Sequence, residues 1–296
     1  MIIKEMTISN SRGDSITFGH HFKFQRIIGL SGTSATNNYT EGNFDGSSYQ
    51  NTFLDNKEFG VLFYIDRTFS RDILSIEERR ALAFKVFNPK FNPFRVDIKT
   101  KADKEYYLIA NLDSAVSFPE GNENQNEAWH KGTIYFTAND PYFYEKNSKK
   151  VEVASWIGSF EFPLEIVEDG IELGYREQSL IANVTNDGAN DTGMIIQFKA
   201  QATVLNPSLI NINTYEELKL NFEMIGGDII EVSTYKGQKS VTLIRNNVKS
   251  NIFNTLDLSS TFLELSPGDN LFRYNADEGL DNLEISMTFN NKYVGV

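Results

Sequence analysis

A chain of 296 residues with 40% hydrophobic and 23% charged residues is long enough for two ordinary domains and too apolar for wholesale disorder. It has no cysteine, which excludes disulfide stapling, thiolate metal sites and cysteine nucleophiles. Residues 1–148 hold 17 basic and 19 acidic side chains and residues 149–296 hold 11 and 21, so nearly all of the net charge of −12 lies in the second half. That balance argues against nucleic acid or an anionic membrane as partner, and otherwise reads as a solvated acidic surface.

The opening residues, Met1 to Met6, lack the apolar core and small-residue cleavage site of a secretion signal. No apolar run approaches the roughly 20 residues of a membrane span. The expectation is a chain made in a cytoplasm. Residues 37–48, rich in Asn, Gly and Ser, read as a loop, and residues 60–65 as a strand. Ser75-Ile76-Glu77-Glu78 is a capping box, because a hydroxyl three residues before a carboxylate allows reciprocal bonds to the helix start. Ile76, Ala83, Val86 and Phe87 follow at helical spacing, as do Leu82 and Val86, and Asn88-Pro89 ends the helix. Its polar face carries Arg79, Arg80 and Lys85, read as a solvated face or as partners for acidic groups on a neighbouring subunit. Residues 106–110 and 133–138 are further strands, with a loop over residues 118–125 between them. Strands around one helix give an α+β first domain, residues 1–147. The aromatic density then drops across Lys146-Asn147-Ser148-Lys149-Lys150.

The second domain, residues 151–296, has no helical pattern. Strands are expected near residues 161–167, 194–204, 217–224, 228–234, 240–245 and 282–290. Alternation is plain in Leu218, Leu220, Phe222 and Met224, and in Leu283, Ile285, Met287 and Phe289. Turn residues divide them at Asn186-Asp187-Gly188, Gly226-Gly227-Asp228, Lys236-Gly237 and Pro267-Gly268-Asp269. Many short strands at this spacing mean a β-sandwich, so the fold class is mainly β.

Catalytic chemistry finds little footing. The three histidines, His20, His21 and His130, do not make metal-ligand spacing, and adjacent residues on a strand point to opposite faces. No nucleophile elbow, phosphate-binding loop or zinc-protease motif occurs. Glu168-Asp169 and Asp187-Gly188-Ala189-Asn190-Asp191 could pair as glycosidase carboxylates or hold calcium, but they read better as turn caps. Trp156, Tyr175, Tyr215, Tyr235 and Tyr274 are the candidates for stacking on sugar rings, against the plainer reading of core or interface aromatics. No catalytic residue, metal or cofactor is expected, and the chain is read as no enzyme.

Four segments resemble the distal tail protein family of siphophages, long non-contractile-tailed phages that infect Gram-positive bacteria. The first is Gly42-Asn43-Phe44-Asp45-Gly46-Ser47-Ser48-Tyr49 ahead of a strand, with Lys57-Glu58 where the family usually has an Arg. The second is the capped helix with Arg79 and Arg80, ending at Asn88-Pro89, and the third is the strand leading to Asp140-Pro141-Tyr142-Phe143-Tyr144. The fourth spans the second half: Val184 to Gly188, Ile210 to Asn213, Leu218 to Asp228, and Pro267-Gly268-Asp269-Asn270 before the last strands. The resemblance implies a first domain that closes a ring of six copies and a lectin-like, galectin-like β-sandwich outside it. It makes Asp45, Gly46, Tyr49, Arg79, Arg80, Pro89, Asp140 and Pro141 the assembly candidates. It further implies a virion tail-tip location and contacts with the tail tube protein, the tail-associated lysin and, in some members, a receptor-binding protein. A carbohydrate-binding adsorption module that recognises host cell-wall polysaccharide is the alternative of a different class, and a wall hydrolase the third.

Overall fold

The computed structural model describes residues 3–19, 22–43, 45–66, 75–154, 156–158, 174–176 and 181–296. They divide into two units, Met1–Asn147 with Tyr293–Val296, and Ser148–Lys292. Strands make up 54% and helix 8%, so the expected mainly β fold is borne out.

The first unit is built from β1 (Ile3–Ser9), β2 (Ser15–Phe18), β3 (Phe22–Ile28), β4 (Ala35–Glu41), β5 (Ser47–Leu54), β6 (Lys57–Asp66), α1 (Ile76–Val86), β7 (Phe94–Thr100), β8 (Glu105–Leu112), β9 (Trp129–Ala138) and β10 (Phe143–Glu145). The sheet order is β8-β7-β1-β2-β3-β6-β9, and β9 pairs back to β8 through Asn111 with Thr137 and Leu112 with Phe136. The sheet therefore closes on itself and leaves few free edges. Strict alternation drives this: in β7 and β9 every second side chain is buried. The interior is filled by phenylalanines, with Phe18 and Phe63 in edge contact at 5.4 Å and Phe94 and Phe136 at 5.7 Å. Each such ring contributes about 1.5–3 kcal/mol by leaving water.

Helix α1 begins as its sequence requires. Ser75 Oγ accepts from Glu78 N, and the Glu78 carboxylate accepts from Ser75 N at 2.7 Å. These bonds hold the Glu78 carboxyl below the ordinary range. Replacing Ser75 by Ala is expected to lower the first unit's stability by about 1 kcal/mol, read as a shifted denaturant midpoint at unchanged slope. The stripe that meets the core is Arg79, Ala83 and Val86. Leu82 is exposed instead, and Arg79 is not on a solvated face. It is 2% exposed, and its guanidinium donates to Asp66 O at 2.8 Å. A long apolar stem with a guanidinium head satisfied by a carbonyl fits a buried stripe that charge alone would exclude.

Residues 37–48 are not one loop. They contribute most of β4 and the start of β5, which pair with each other and with no other strand among the described residues.

The second unit comprises β11 (Lys149–Ala154), β12 (Trp156–Gly158), β13 (Gly174–Arg176), β14 (Ile181–Asn186), β15 (Ile195–Ala200), β16 (Val204–Leu205), β17 (Ser208–Asn211), β18 (Glu217–Lys219), β19 (Glu223–Met224), β20 (Ile229–Ser233), β21 (Ser240–Arg245), β22 (Val248–Asn251), β23 (Gly268–Asn275) and β24 (Leu283–Phe289). Two sheets, β11-β24-β15-β20-β21-β22 and β14-β23-β17-β18, enclose one core that includes Phe198, Leu209, Phe272, Ile285 and Met287. Leu283, Ile285, Met287 and Phe289 all face inward, as their alternation predicts. The expected strand over residues 194–204 splits into β15 and β16, and that over residues 217–224 into β18 and β19. The strand expected near residues 161–167 lies outside the described residues.

Two buried groups fix turns here. Asn270 donates to Ser266 O (2.7 Å) and Gly268 O (3.0 Å) and accepts from Ser266 N, holding the Pro267-Gly268 turn that opens β23. Asp228 is 1% exposed and takes two bonds from the Arg245 guanidinium, at 2.7 and 2.5 Å, and a third from Ile225 N. The Arg245 guanidinium holds the Asp228 carboxyl below the ordinary range.

Candidate functional site

Among the described residues, the hairpin β4–β5 pairs with no other strand of the first unit. Every residue of β4, and every residue of β5 except Leu54, is exposed. Tyr39, Tyr49 and Phe53 are among them, 57–59% exposed, with Tyr39 and Tyr49 in edge contact at 6.1 Å. Side-chain bonds run along the ladder: Asn38 Nδ2 donates to Asn51 Oδ1 at 2.8 Å, and Thr52 Oγ1 to Asn37 Oδ1 at 2.5 Å. A lone two-stranded hairpin is marginal in water, and these bonds are what this one has. Asp45 and Gly46 sit at its tip, with Gly46 at φ +93°, a conformation that favours glycine in the reversal. The segment 35–54 carries Glu41 and Asp45 but no Lys or Arg.

A second unsupported surface lies on the same unit, on the outer face of β3, β6 and β9. Register places Ile28, Gly60 and Tyr135 in one row and Arg26, Leu62 and Thr133 in the next. A third row holds Lys23, Tyr64 and Lys131. The Tyr135 ring lies over Gly60, where a Cβ would come within 2.8 Å and push the ring aside. Ile28 and Tyr135 are exposed, and Tyr64 meets Trp129 edge-on at 5.5 Å. Arg26 is exposed and bears no ion pair among the described residues, while Lys23 pairs with Asp66 at 2.9 Å. This face is apolar with basic groups, and the hairpin is aromatic with acidic ones. Sequence reading missed Tyr39, Phe53 and the whole outer row. The odd positions of β9 (Trp129, Tyr135) carry a second apolar pattern that the stronger inward alternation obscured.

The remaining assembly candidates lie elsewhere. Arg79 is buried in α1, and Arg80 lies 5.3 Å from the centre of the Phe118 ring. Pro89 begins the short turn Pro89–Phe91 after α1, capped by Asn88 Oδ1 accepting from Lys90 N. Asp140 is exposed and accepts from Tyr144 OH at 2.5 Å, while Pro141 is buried at the start of the turn into β10.

The sugar-stacking candidates separate sharply. Trp156 and Tyr175 lie on the ladder β12–β13, in adjacent register positions. Tyr274 is 1% exposed and closed to any ligand from solvent, and Tyr235 is half-buried. Tyr215 is 84% exposed, held at φ +61° by a turn in which Asn211 O accepts from Tyr215 N. His130 is buried, its Nε2–H donating to Pro119 O at 3.0 Å, which gives it a structural role. His20, His21, Glu168 and Asp169 lie outside the described residues. Asp187 pairs with Lys149 rather than gathering other carboxylates. Among the described residues no group of three His, Asp or Glu side chains could hold a metal. Nor does any helix among them have the length and apolarity to cross a membrane.

Residues 187–293 match the family model for the siphovirus-type tail component, C-terminal domain. Among solved structures, the chain is similar to the Dit protein of phage SPP1, described as a paradigm of the hub adsorption apparatus in phages that infect Gram-positive bacteria. The TM-score is 0.66 at 14% identity, covering 97% of this chain and 98% of that one. Chains of the phage p2 baseplate in its activated conformation, one with strontium and one with calcium, give TM-scores of 0.58 and 0.59 at 13% identity. They cover 99% of both chains in the first case and 100% of both in the second. Comparison with curated proteins gives no match. The fold along the whole chain is thus that of the SPP1 Dit protein and of these baseplate chains. With the tail-component match in the second unit, the expected likeness to distal tail proteins is borne out.

Proposed function

We propose that this chain is a non-enzymatic structural component of a phage tail tip, and that identical copies close head-to-tail into a ring through the first unit. The observation that carries this reading is the hairpin β4–β5, whose aromatics Tyr39, Tyr49 and Phe53 are left exposed by the described residues. The hairpin of one copy lies on the outer face of β3, β6 and β9 of the next. The two surfaces match in apolar character, and Glu41 and Asp45 meet Arg26 and its neighbours. Two different patches on one molecule make a heterologous contact, which yields a ring when its rotation closes. Six copies is the number the distal tail fold suggests. The acidic second unit belongs on the periphery, where repulsion between copies is weakest. The ring would join the tail tube protein to the tail-associated lysin and to a receptor-binding protein, on a chain made in the host cytoplasm. Light scattering of the purified chain tests the assembly step: one closed oligomer supports it, and a single copy at high concentration overturns it.

Tyr215 favours a second reading, adsorption to a cell-wall polysaccharide, because a rigidly turned and almost fully exposed tyrosine is a stacking platform. On that reading Tyr215→Ala abolishes calorimetric binding to purified wall glycan without changing the melting temperature. Equal heats for both proteins, or none from either, would remove it.

A further inference from the structure

Lys57, the first residue of β6, is 1% exposed and has no carboxylate partner among the described residues. An ammonium has three N–H donors. Three backbone carbonyls take them: Leu30 O at 3.3 Å, Gly32 O at 3.3 Å and Val294 O at 3.1 Å. The Phe143 ring lies 4.7 Å away on a further side. Two of the acceptors belong to the segment that leads into the hairpin, and Lys57 itself follows the hairpin's second strand. The third acceptor comes from the far end of the sequence. Tyr293 meets Tyr106 edge-on at 5.6 Å, and Tyr293 and Val296 pack against the first unit's core. Gly295 runs beside Ser31, where a Cβ would sit 3.4 Å from Ser31 O, in ordinary contact.

We propose that residues 293–296 form a strap that fixes the root of the hairpin through Lys57, so that seating or releasing the strap sets how the hairpin leaves the barrel. A buried ammonium is tolerated only while all its donors are satisfied. Removing Val294 O leaves one N–H without its protein acceptor and uncovers the ammonium on that side. The ammonium then turns toward solvent, and Leu30 O and Gly32 O lose the donor they share. The ties that remain at the root include Asp55 N donating to Ser34 O at 2.9 Å and Thr36 Oγ1 donating to Asp55 Oδ1 at 2.8 Å. Burial lowers the pKa of the Lys57 amine because desolvation disfavours the charged form, so the ammonium depends on these carbonyls to stay where it is.

Amide hydrogen exchange on the full chain, on a variant lacking residues 294–296 and on Lys57→Met tests this. The expected result in both variants is exchange roughly tenfold faster at residues 29–34 and 54–57, with the β6–β9 ladder and the second unit unchanged. Lys57→Met keeps the test sound if the deletion fails to fold, because exchanging a buried charge for an apolar chain of similar length preserves packing. Unchanged exchange in both variants overturns the proposal, as does a uniform rise across the first unit. Acceleration in the deletion alone also overturns it, since Lys57 would not be the link. The strap concerns one copy of the chain, so a failure of the ring reading would instead appear as a single copy in all three proteins.

Discussion

Excising residues 35–54 and joining Ser34 to Asp55 by two glycines is expected to convert the assembled protein to a single copy while leaving the fold intact. The join is short because Asp55 N already donates to Ser34 O at 2.9 Å, so the ends of the cut are neighbours. The described residues of the excised segment are exposed except Leu54 and lie outside the first unit's core, so the thermal midpoint should move by less than about 1 kcal/mol in equivalent stability. Their loss from an interface is another matter. Tyr39, Tyr49 and Phe53 are the kind of large, preorganised aromatics that dominate binding, each costing about 2 kcal/mol or more when removed from a packed interface. Three together change an association constant by many powers of ten. Light scattering and a melting curve on the same sample read both halves of the expectation. A shortened protein that still assembles would remove the hairpin from the ring contact.

Replacing Arg245 by Met is expected to destabilise the second unit strongly at neutral pH, visible as a clearly lowered urea midpoint, because it leaves a sealed carboxylate without its charged partner. The reason is the asymmetry of the pair. Arg245 is partly exposed, whereas Asp228 is sealed and would be left as a buried carboxylate with one backbone donor, Ile225 N. Asp228→Asn should cost less, because the freed guanidinium can reach water. The pH dependence follows from the same geometry. In the intact protein the folded pKa of Asp228 is depressed, so its contribution is complete above the unfolded carboxylate range and fades as pH falls through the folded value. In Arg245→Met burial raises that pKa, so the variant's deficit should shrink as acid neutralises the carboxyl. Urea midpoints at pH 7 and pH 4 measure the sign. A deficit that widened on acidification would contradict the assignment of Asp228 as a buried anion.

Much of this architecture was legible because local signals and tertiary packing agreed. Ser75 and Glu78 announced α1 and cap it as written, and the alternating run Leu283, Ile285, Met287 and Phe289 became an inward face without exception. Glycine-marked turns held as well, with Gly227, Gly237 and Gly268 all at positive φ. What failed was anything whose burial contradicts its type or whose strand has no buried face. Residues 37–48 look like loop because neither face of the hairpin alternates apolar with polar, and a strand that packs on nothing in its own chain leaves no period to read. Arg79 and Lys57 are cations held inside by carbonyls, which no side-chain pattern reveals. Tyr274 and Tyr215 are the same residue type a few strands apart, one sealed and one open, and only the fold distinguishes them.

The outer face of β3, β6 and β9 was invisible for a related reason. Gly60 reads as a weak strand residue until Tyr135 is seen lying across it. The inward phenylalanines of the same strands supply a stronger alternation that hides the outward one.

Electron microscopy of the purified, full-length chain in negative stain is the most direct measurement. Closed annular particles of uniform diameter are the predicted image. Fields of small, single-copy particles at every concentration, with no rings in tails carrying the protein either, would contradict the account.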